Sequence, residues 1–348
     1  MKLLNVGKVD VPKSKVSYYA SLKWEEKVSR SKVELTKTKT KLRDALMIEN
    51  FDDFCLWMYV LVDDLWKEIV DGYKHRRQMS LCSDSELMSM VLISECQGWD
   101  VETEALSHWQ SHRDLFPFIP SQSRYNRRRR ALSDVFKVMR QQILAQLDVA
   151  YDPQCALDSL PISVCTFHHA PRASSKWRAH DAQLGYVSAK KQWIYGYRLQ
   201  NLVTLRGVIV DFMLAPAGYK DSEVVGEFLS AHSGRRILAD KGYVNHDLAQ
   251  QLAHDYGVYL IARTRKNQKR YALPAPLQHV IPRWRQICET VHSQLVEQFH
   301  IQRNYARSFD GLCTRLLAKL TAHTFCIYLN RLFGNADFLA IKSLAFPN

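Results

Sequence analysis

The sequence lacks the cysteine pairs and long apolar runs that mark zinc folds, disulfide frameworks and membrane spans. None of its eight cysteines belongs to a Cys-x-x-Cys pair, which argues against a zinc site and against a disulfide framework. No run approaches the roughly eighteen apolar residues of a membrane helix, and Met1 to Asp10 lack the apolar stretch of a signal peptide. We therefore expect a cytoplasmic protein with no membrane partner.

Acidic residues are too few to balance the basic ones. The 348 residues carry a formal net charge of +13, which favours binding to a polyanion because each Lys or Arg on a phosphate releases counterions. Nucleic acid is the expected partner, and an anionic membrane surface is the weaker alternative. With 47% apolar residues, the chain is long enough for two domains or one elaborated domain.

The composition divides the chain into three segments. Residues 1–46 are rich in Lys, Ser and Thr and lack an apolar period, which predicts a poorly ordered basic extension. Residues 48–150 carry apolar residues at helical spacing, and Ser83 with Glu86 fits a capping box. This segment is therefore predicted to be an all-helical N-terminal domain that binds DNA.

From residue 152 the pattern changes to short apolar strands alternating with helices. Strands are predicted at 156–164, 194–204, 207–215, 236–240 and 258–264, with helices at 222–230, 245–256 and 283–299. The second and third strands should form an antiparallel hairpin. This order predicts an α+β or α/β fold with an RNase H-like mixed β-sheet flanked by helices, in a domain at 152–346 that includes a closing helix.

Three acids occupy positions typical of a metal-dependent catalytic site. Asp158 lies on the first strand, Asp240 lies where a later strand ends, and Glu289 lies on a helix. Such acids can converge at one edge of a mixed sheet, and carboxylate oxygens are the ligands that Mg²⁺ prefers. Two such ions would assist an in-line displacement at phosphorus. An Asp at a strand end is also a common turn former, so the three are interpreted together.

Other titratable residues compete with this interpretation. Glu297 follows Glu289 by two helical turns, and Asp221 and Glu223 lie at the start of a helix, where Asp221 or Ser222 is predicted to cap it. His292 is a weaker candidate for proton shuttling or for a substrate contact. Three further histidines lack a partner at metal-ligand spacing and are expected at the surface: His168, His169 and His180.

The motifs LDS at Asp158, ADKGY at Asp240 and ET at Glu289 resemble those of bacterial insertion-sequence transposases with a DDE catalytic core. The similarity covers roughly residues 48–346. It implies an RNase H-like core in which the three acids bind two divalent cations, Mg²⁺ or Mn²⁺. Arg285, four residues before Glu289, resembles the arginine that related transposases place there.

The resemblance also implies an activity, partners and a location. The enzyme would cleave double-stranded DNA at the element ends and join the freed 3′ hydroxyl to target DNA, as a homodimer or larger assembly in the bacterial nucleoid. Two alternatives stay open: a DNA-binding protein derived from a transposase that no longer cuts, and a metal-dependent nuclease that cuts without joining.

Basic and aromatic side chains at three places are candidate DNA contacts. Lys241, Tyr243 and Arg285 lie near the acids, although a solvated Lys and a packed Tyr are equally compatible with the sequence. One predicted basic helix contains Arg124, Arg127, Arg128, Arg129 and Arg130, which suit phosphate contacts but also a solvated helix end. A second basic run contains Arg263, Arg265, Lys266, Lys269 and Arg270.

Overall fold

A computed structural model describes residues 48–70, 80–149, 152–173, 175–263, 275–335 and 337–345. Within these ranges, five helices precede the first strand: α1 (Phe51–Ile69), α2 (Asp84–Cys96), α3 (Glu102–Ser111), α4 (Gln122–Ala131) and α5 (Ser133–Gln146). The predicted basic extension at 1–46 lies outside the described residues.

Strands and helices then alternate. The strands are β1 (Gln154–Cys165), β2 (Gln183–Val187), β3 (Gln192–Thr204), β4 (Ile209–Pro216), β5 (Arg236–Ala239) and β6 (Tyr259–Ala262). The helices are α6 (Ser175–Ala179), α7 (Asp221–Ser230), α8 (His246–Tyr256), α9 (Ala275–Glu297), α10 (Phe309–Leu332) and α11 (Lys342–Ala345).

The helix starts follow from local side chains. Asn50 precedes α1 and accepts a hydrogen bond from the backbone N–H of Asp53. The capping box predicted at Ser83 and Glu86 is confirmed, because each side chain bonds the backbone N–H of the other residue. These bonds satisfy amide groups that would otherwise lack partners in the first turn.

The six strands form one mixed sheet in the order β2-β3-β1-β5-β6, with β4 also on β3. The pairs of β3 with β1, β2 and β4 are antiparallel, whereas β5 pairs parallel to β1 and β6 parallel to β5. The predicted hairpin of β3 and β4 is confirmed. The sequence interpretation missed β2. Gly185 of β2 lies so close to Ala217 that a Cβ added at Gly185 would be 2.1 Å from the carbonyl oxygen of Ala217.

The two faces of the sheet are covered by different helices. Ala156, Leu160 and Ile162 of β1 belong to a hydrophobic cluster that also contains side chains of α1, α2, α5, α9 and α10. Cys155 and Leu157 point to the other face and pack in a smaller cluster with α7 and α8. The sheet is thus buried on both faces, and β1 at its centre contributes to both clusters.

The closing helix α10 was expected to pack on the strand-containing domain. It packs chiefly against α5 and α2 and is buried around most of its circumference, as expected for a helix at the centre of a hydrophobic core. The helices before β1 and the helix after the sheet therefore share one core.

The single basic helix predicted from residue 121 onward is wrong. It is two helices, α4 and α5, that meet at Leu132, where the backbone departs from helical geometry with φ −91° and ψ 7°. Leu132 is buried, and no Pro or Gly marks the break, so packing and not local propensity determines it. None of the helices in the described ranges combines the length and hydropathy needed to cross a bilayer.

Candidate active site

Two aspartates lie side by side at the carboxyl end of the central parallel strand pair. β1 and β5 pair up to Leu157 and Ala239, and Asp158 and Asp240 each follow that last pair by one residue. Between them lies a cavity of about 20 Å³, which Arg285 also lines. This space exceeds the roughly 10–15 Å³ that one water requires, so it can hold an occupant the size of a water or a metal ion.

Arg285 connects Glu289 to this site, because its guanidinium contacts both Glu289 and Asp240. Arg285 Nε donates to Glu289 Oε1 at 2.9 Å, one helical turn away on α9, and Arg285 Nη1 lies 3.6 Å from Asp240 Oδ1. All three side chains are partly exposed. The Asp240 and Glu289 carboxylates thus share one guanidinium as their cationic partner. Asp158 lines the same cavity.

The electrostatics of Asp158 favour a cation. Burial, and next the charge of Asp240, raise the pKa of the Asp158 carboxyl to about 6, because a desolvated carboxylate beside a second one resists ionisation. Within the described ranges no three His, Cys, Asp or Glu side chains are close enough to ligate an ion as a group. The oxygen donors and the ion-sized space nevertheless fit a divalent cation.

His292 and Asn201 back Asp158 on its own face of the sheet. Asn201 is directly opposite Asp158 in the register of β1 and β3, and its amide nitrogen lies 3.2 Å from His292 Nε2. His292 Nδ1 lies 3.8 Å from Asp158 Oδ2. Burial lowers the pKa of His292 to about 4, so the imidazole is neutral near pH 7 and presents one N–H donor.

Sequence reasoning named His292 but missed Asn201. The available signal was the polar pair Gln200-Asn201 within the otherwise apolar strand β3, where both side chains are fully buried. Buried polar side chains need partners, and the partner of Asn201 is His292, beside Asp158.

Tyr243, a candidate DNA contact for which the sequence allowed packing equally, is packed inside the protein. Tyr243 is 2% exposed, and its hydroxyl donates to Gln200 Oε1 at 2.5 Å on the face of the sheet opposite Asp158. Gln200 in turn donates to Asp221 at 2.7 Å, and Arg198 pairs with the same carboxylate at 3.0 Å. These contacts hold the turn after Asp240 against the sheet.

The interpretation of Asp221 or Ser222 as a helix cap is also wrong. The cap position of α7 is Lys220, and Asp221 is the first residue of the helix. Its carboxylate faces the sheet, because Arg198 and Gln200 on β3 supply stronger partners than the helix's own amides.

The arginine cluster of α4 separates into buried and exposed members. Arg129 is 5% exposed and lies 3.7 Å from Glu95 and 3.9 Å from Glu102, contacts that favour a structural role over the predicted DNA contact. Arg128 pairs with Asp84 at 2.6 Å and is half-buried. Arg124, Arg127 and Arg130 are exposed.

Other candidates remain predictions. Lys241 is half-buried beside Asp240, and Arg263 is exposed just after β6, on the strand next to β5. The predicted contacts at Arg265, Lys266, Lys269 and Arg270 lie outside the described residues.

Two competing acids and three histidines lie away from the aspartates. Glu223 pairs with Lys220 at 3.4 Å, and Glu297 is exposed, about two turns along α9 from Glu289. The three histidines predicted at the surface are exposed. His168 contacts the Phe167 ring edge-on, His169 lies within hydrogen-bond distance of Thr166, and His180 stacks on Phe309.

Comparison with known proteins identifies the part of the chain that carries this site. Residues 152–309 match a family model described as a transposase DDE domain, a range that contains both aspartates, Arg285, Glu289 and His292. Searches of curated proteins and of solved structures returned no match. Residues 152–309 are thus similar to the transposase DDE domain family, and the resemblance to DDE-type transposases drawn from the motifs is confirmed.

Proposed function

We propose that the protein cleaves DNA at the ends of an insertion sequence and joins those ends to target DNA. The proposal rests above all on one observation. Asp158 and Asp240 adjoin where the pairing of β1 with β5 ends, while Arg285 ties Glu289 to Asp240. This arrangement supports the DDE assignment of these three acids.

The sheet supports an RNase H-like core. Three antiparallel strands, β1, β3 and β4, are extended on the other side of β1 by the parallel strands β5 and β6. Helices α7, α8 and α9 cover the faces. In this proposal β2 is an addition at the edge of β3.

The acids would hold divalent cations, for which Mg²⁺ or Mn²⁺ suits the oxygen donors. Such cations polarise a phosphodiester and lower the pKa of water when bound. Asp158 and Asp240 would bind from the two strands and Glu289 from the helix. The Arg285 guanidinium, now paired with both Asp240 and Glu289, would turn to a DNA phosphate, where two parallel N–H donors bind well.

Two phosphoryl transfers make up the reaction. Water first attacks a phosphodiester at the element end, and the strand leaves with a free 3′ hydroxyl. That hydroxyl then attacks a phosphodiester of target DNA, so one new bond forms for each bond broken. Neither step requires a covalent bond between protein and DNA.

Exposed basic side chains would hold the DNA. Arg124, Arg127 and Arg130 on α4 are free of close carboxylate partners among the contacts described above, and Arg263 extends from the catalytic sheet. We propose that the helices at 48–150 bind the element end, and that two copies or more bring two ends together in the nucleoid. Target DNA would lie nearer to Lys241 and Arg263.

A cleavage assay with a labelled DNA that carries the element's end tests the proposal. Wild type should cleave with Mg²⁺ or Mn²⁺, and Asp240→Asn should lose cleavage but still bind DNA. Asp247→Asn is the matched control, because Asp247 is an exposed acid seven residues farther along the chain. It should cleave like wild type.

The other outcomes would each favour a different function. Binding without cleavage by wild type, with both metals, would indicate a DNA-binding protein that no longer cuts. Cleavage without joining of the product to a target would indicate a nuclease. Cleavage retained by Asp240→Asn would remove that residue from the site.

A further inference from the structure

A second cleft lies at the opposite end of the sheet from the aspartates. It is bounded by α5, β4 and the segment between α7 and β5, and has a volume of about 420 Å³. Arg235, in its lining, precedes the first residue of β5, whereas Asp240 follows the last one. The four residues of β5 span about 13 Å at roughly 3.3 Å each, so this cleft is separate from the candidate active site.

The lining of the cleft is strongly basic. Lys137, Arg140 and Arg235 all line it and are less than a tenth exposed. Asp211 is the acid among the lining residues, and His232 Nε2 lies 3.0 Å from its carboxylate. Three buried cationic side chains and one carboxylate thus line the cleft.

Arg140 is the member of this lining whose own polar contacts are incomplete. Its guanidinium lies against the carbonyl oxygens of Ile209 and Val210, and its Nε has no hydrogen-bond acceptor. Burial lowers the pKa of Arg140 to about 10, and the charge of Asp211 opposes that shift only in part. A buried cation with so few anionic neighbours is stabilised by any anion that enters the cleft.

The rest of the lining suits a ligand larger than a bare ion. Leu144, Val210 and Leu317 supply apolar walls, and Gln141 and Ser233 supply polar side chains. The volume falls within the roughly 300–1,000 Å³ typical of small-molecule pockets. The basic side chains of the cleft are mostly buried, so the phosphates of duplex DNA could not reach them easily. A small anion with an apolar body fits the cleft better.

We propose that this cleft binds a small phosphate monoester of about the size of a mononucleotide, with the phosphate near Lys137, Arg140 and Arg235. The site is independent of the proposed cleavage chemistry. Because α5 and β4 form two walls of the cleft, a phosphorylated molecule bound there would stabilise the packing of the helices before β1 against the sheet.

Thermal unfolding of the full chain with AMP as the probe tests the proposal. Millimolar AMP should raise Tm by a few degrees, since a ligand that binds only the folded state stabilises it. Adenosine, which lacks the phosphate, should leave Tm unchanged. Ser233→Glu places a negative charge at an exposed position of the lining and should weaken AMP binding at least about tenfold.

Two further variants complete the design. Lys137→Gln should also weaken AMP binding. If Lys137→Gln fails to fold, Ser233→Glu still tests whether AMP binds in the cleft. Ser343→Glu, which adds the same charge at an exposed position on α11, should bind AMP like wild type. No stabilisation by AMP, equal stabilisation by adenosine, or full binding by Ser233→Glu would overturn the proposal, as would displacement of AMP by a short duplex DNA.

Discussion

Replacement of Lys319 by methionine should cost the protein much of its stability. Lys319 on α10 is 1% exposed, and its Nζ lies 2.6 Å from Glu95 and 3.1 Å from Asp100. Methionine keeps most of the side-chain volume but removes the charge, so two buried carboxylates lose their shared cation. Breaking a buried ion pair from one side costs about 3–5 kcal/mol, and we expect that loss in the free energy of unfolding.

The remaining neighbours limit the loss. Glu95 still faces Arg129 at 3.7 Å, and Asp100 still faces His300 at 2.8 Å. In the wild type, burial raises the pKa of Glu95, but Lys319 and Arg129 together bring the pKa below its ordinary value. The lower half of the range is therefore expected.

Urea denaturation of matched variants measures the effect. Lys67→Met removes an equally short ion pair, 2.5 Å from Asp63, but Lys67 is 68% exposed, so it should cost less than about 1 kcal/mol. The double variant Lys319→Met with Glu95→Gln should recover part of the loss, because Glu95→Gln also removes the buried carboxylate that loses its Lys319 partner. A Lys319→Met loss no larger than that of Lys67→Met would refute the reasoning.

Three further predictions concern DNA binding, the active site and acid stability. Arg127→Gln should weaken DNA binding and reduce the salt dependence of that binding without lowering Tm. Arg129→Gln should lower Tm, because Arg129 is buried. Equal Tm values for the two variants would contradict this difference in burial. His292→Ala should lower kcat for cleavage about 10- to 100-fold with DNA affinity unchanged, and an unchanged kcat would remove it from the support of Asp158. Burial lowers the pKa of His323 from 6.5 to about 3, so the unfolded chain takes up a proton first as pH falls. Below pH 6.5 the folded state should lose about 1.4 kcal/mol per pH unit from this residue, and His323→Gln should flatten that slope in urea titrations at pH 5 to 7.

Elements with a strong local signal could be predicted from the sequence. The alternating apolar residues of β1 and of the β3–β4 hairpin, and the capping box at Ser83, depend on neighbours within a few positions. The two aspartates were found for the same reason, since Asp158 lies on the strand β1 and Asp240 follows the short apolar strand β5.

Features that depend on distant partners could not be predicted. Arg129 looks identical to Arg127 in sequence, and only the packing of α4 against Glu95 and Glu102 distinguishes the two. The break at Leu132 and the burial of Tyr243 likewise follow from tertiary contacts that override local preference.

The position of α10 affects how the chain folds as it is synthesised. The helices at 51–146 precede it by more than 150 residues, yet their shared core is completed only when Phe309–Leu332 is in place. Domains usually fold in turn as the ribosome releases them, but here the first helices must wait for the closing one. A product that terminates early, before Phe309, would leave that apolar surface uncovered and would be a substrate for proteases.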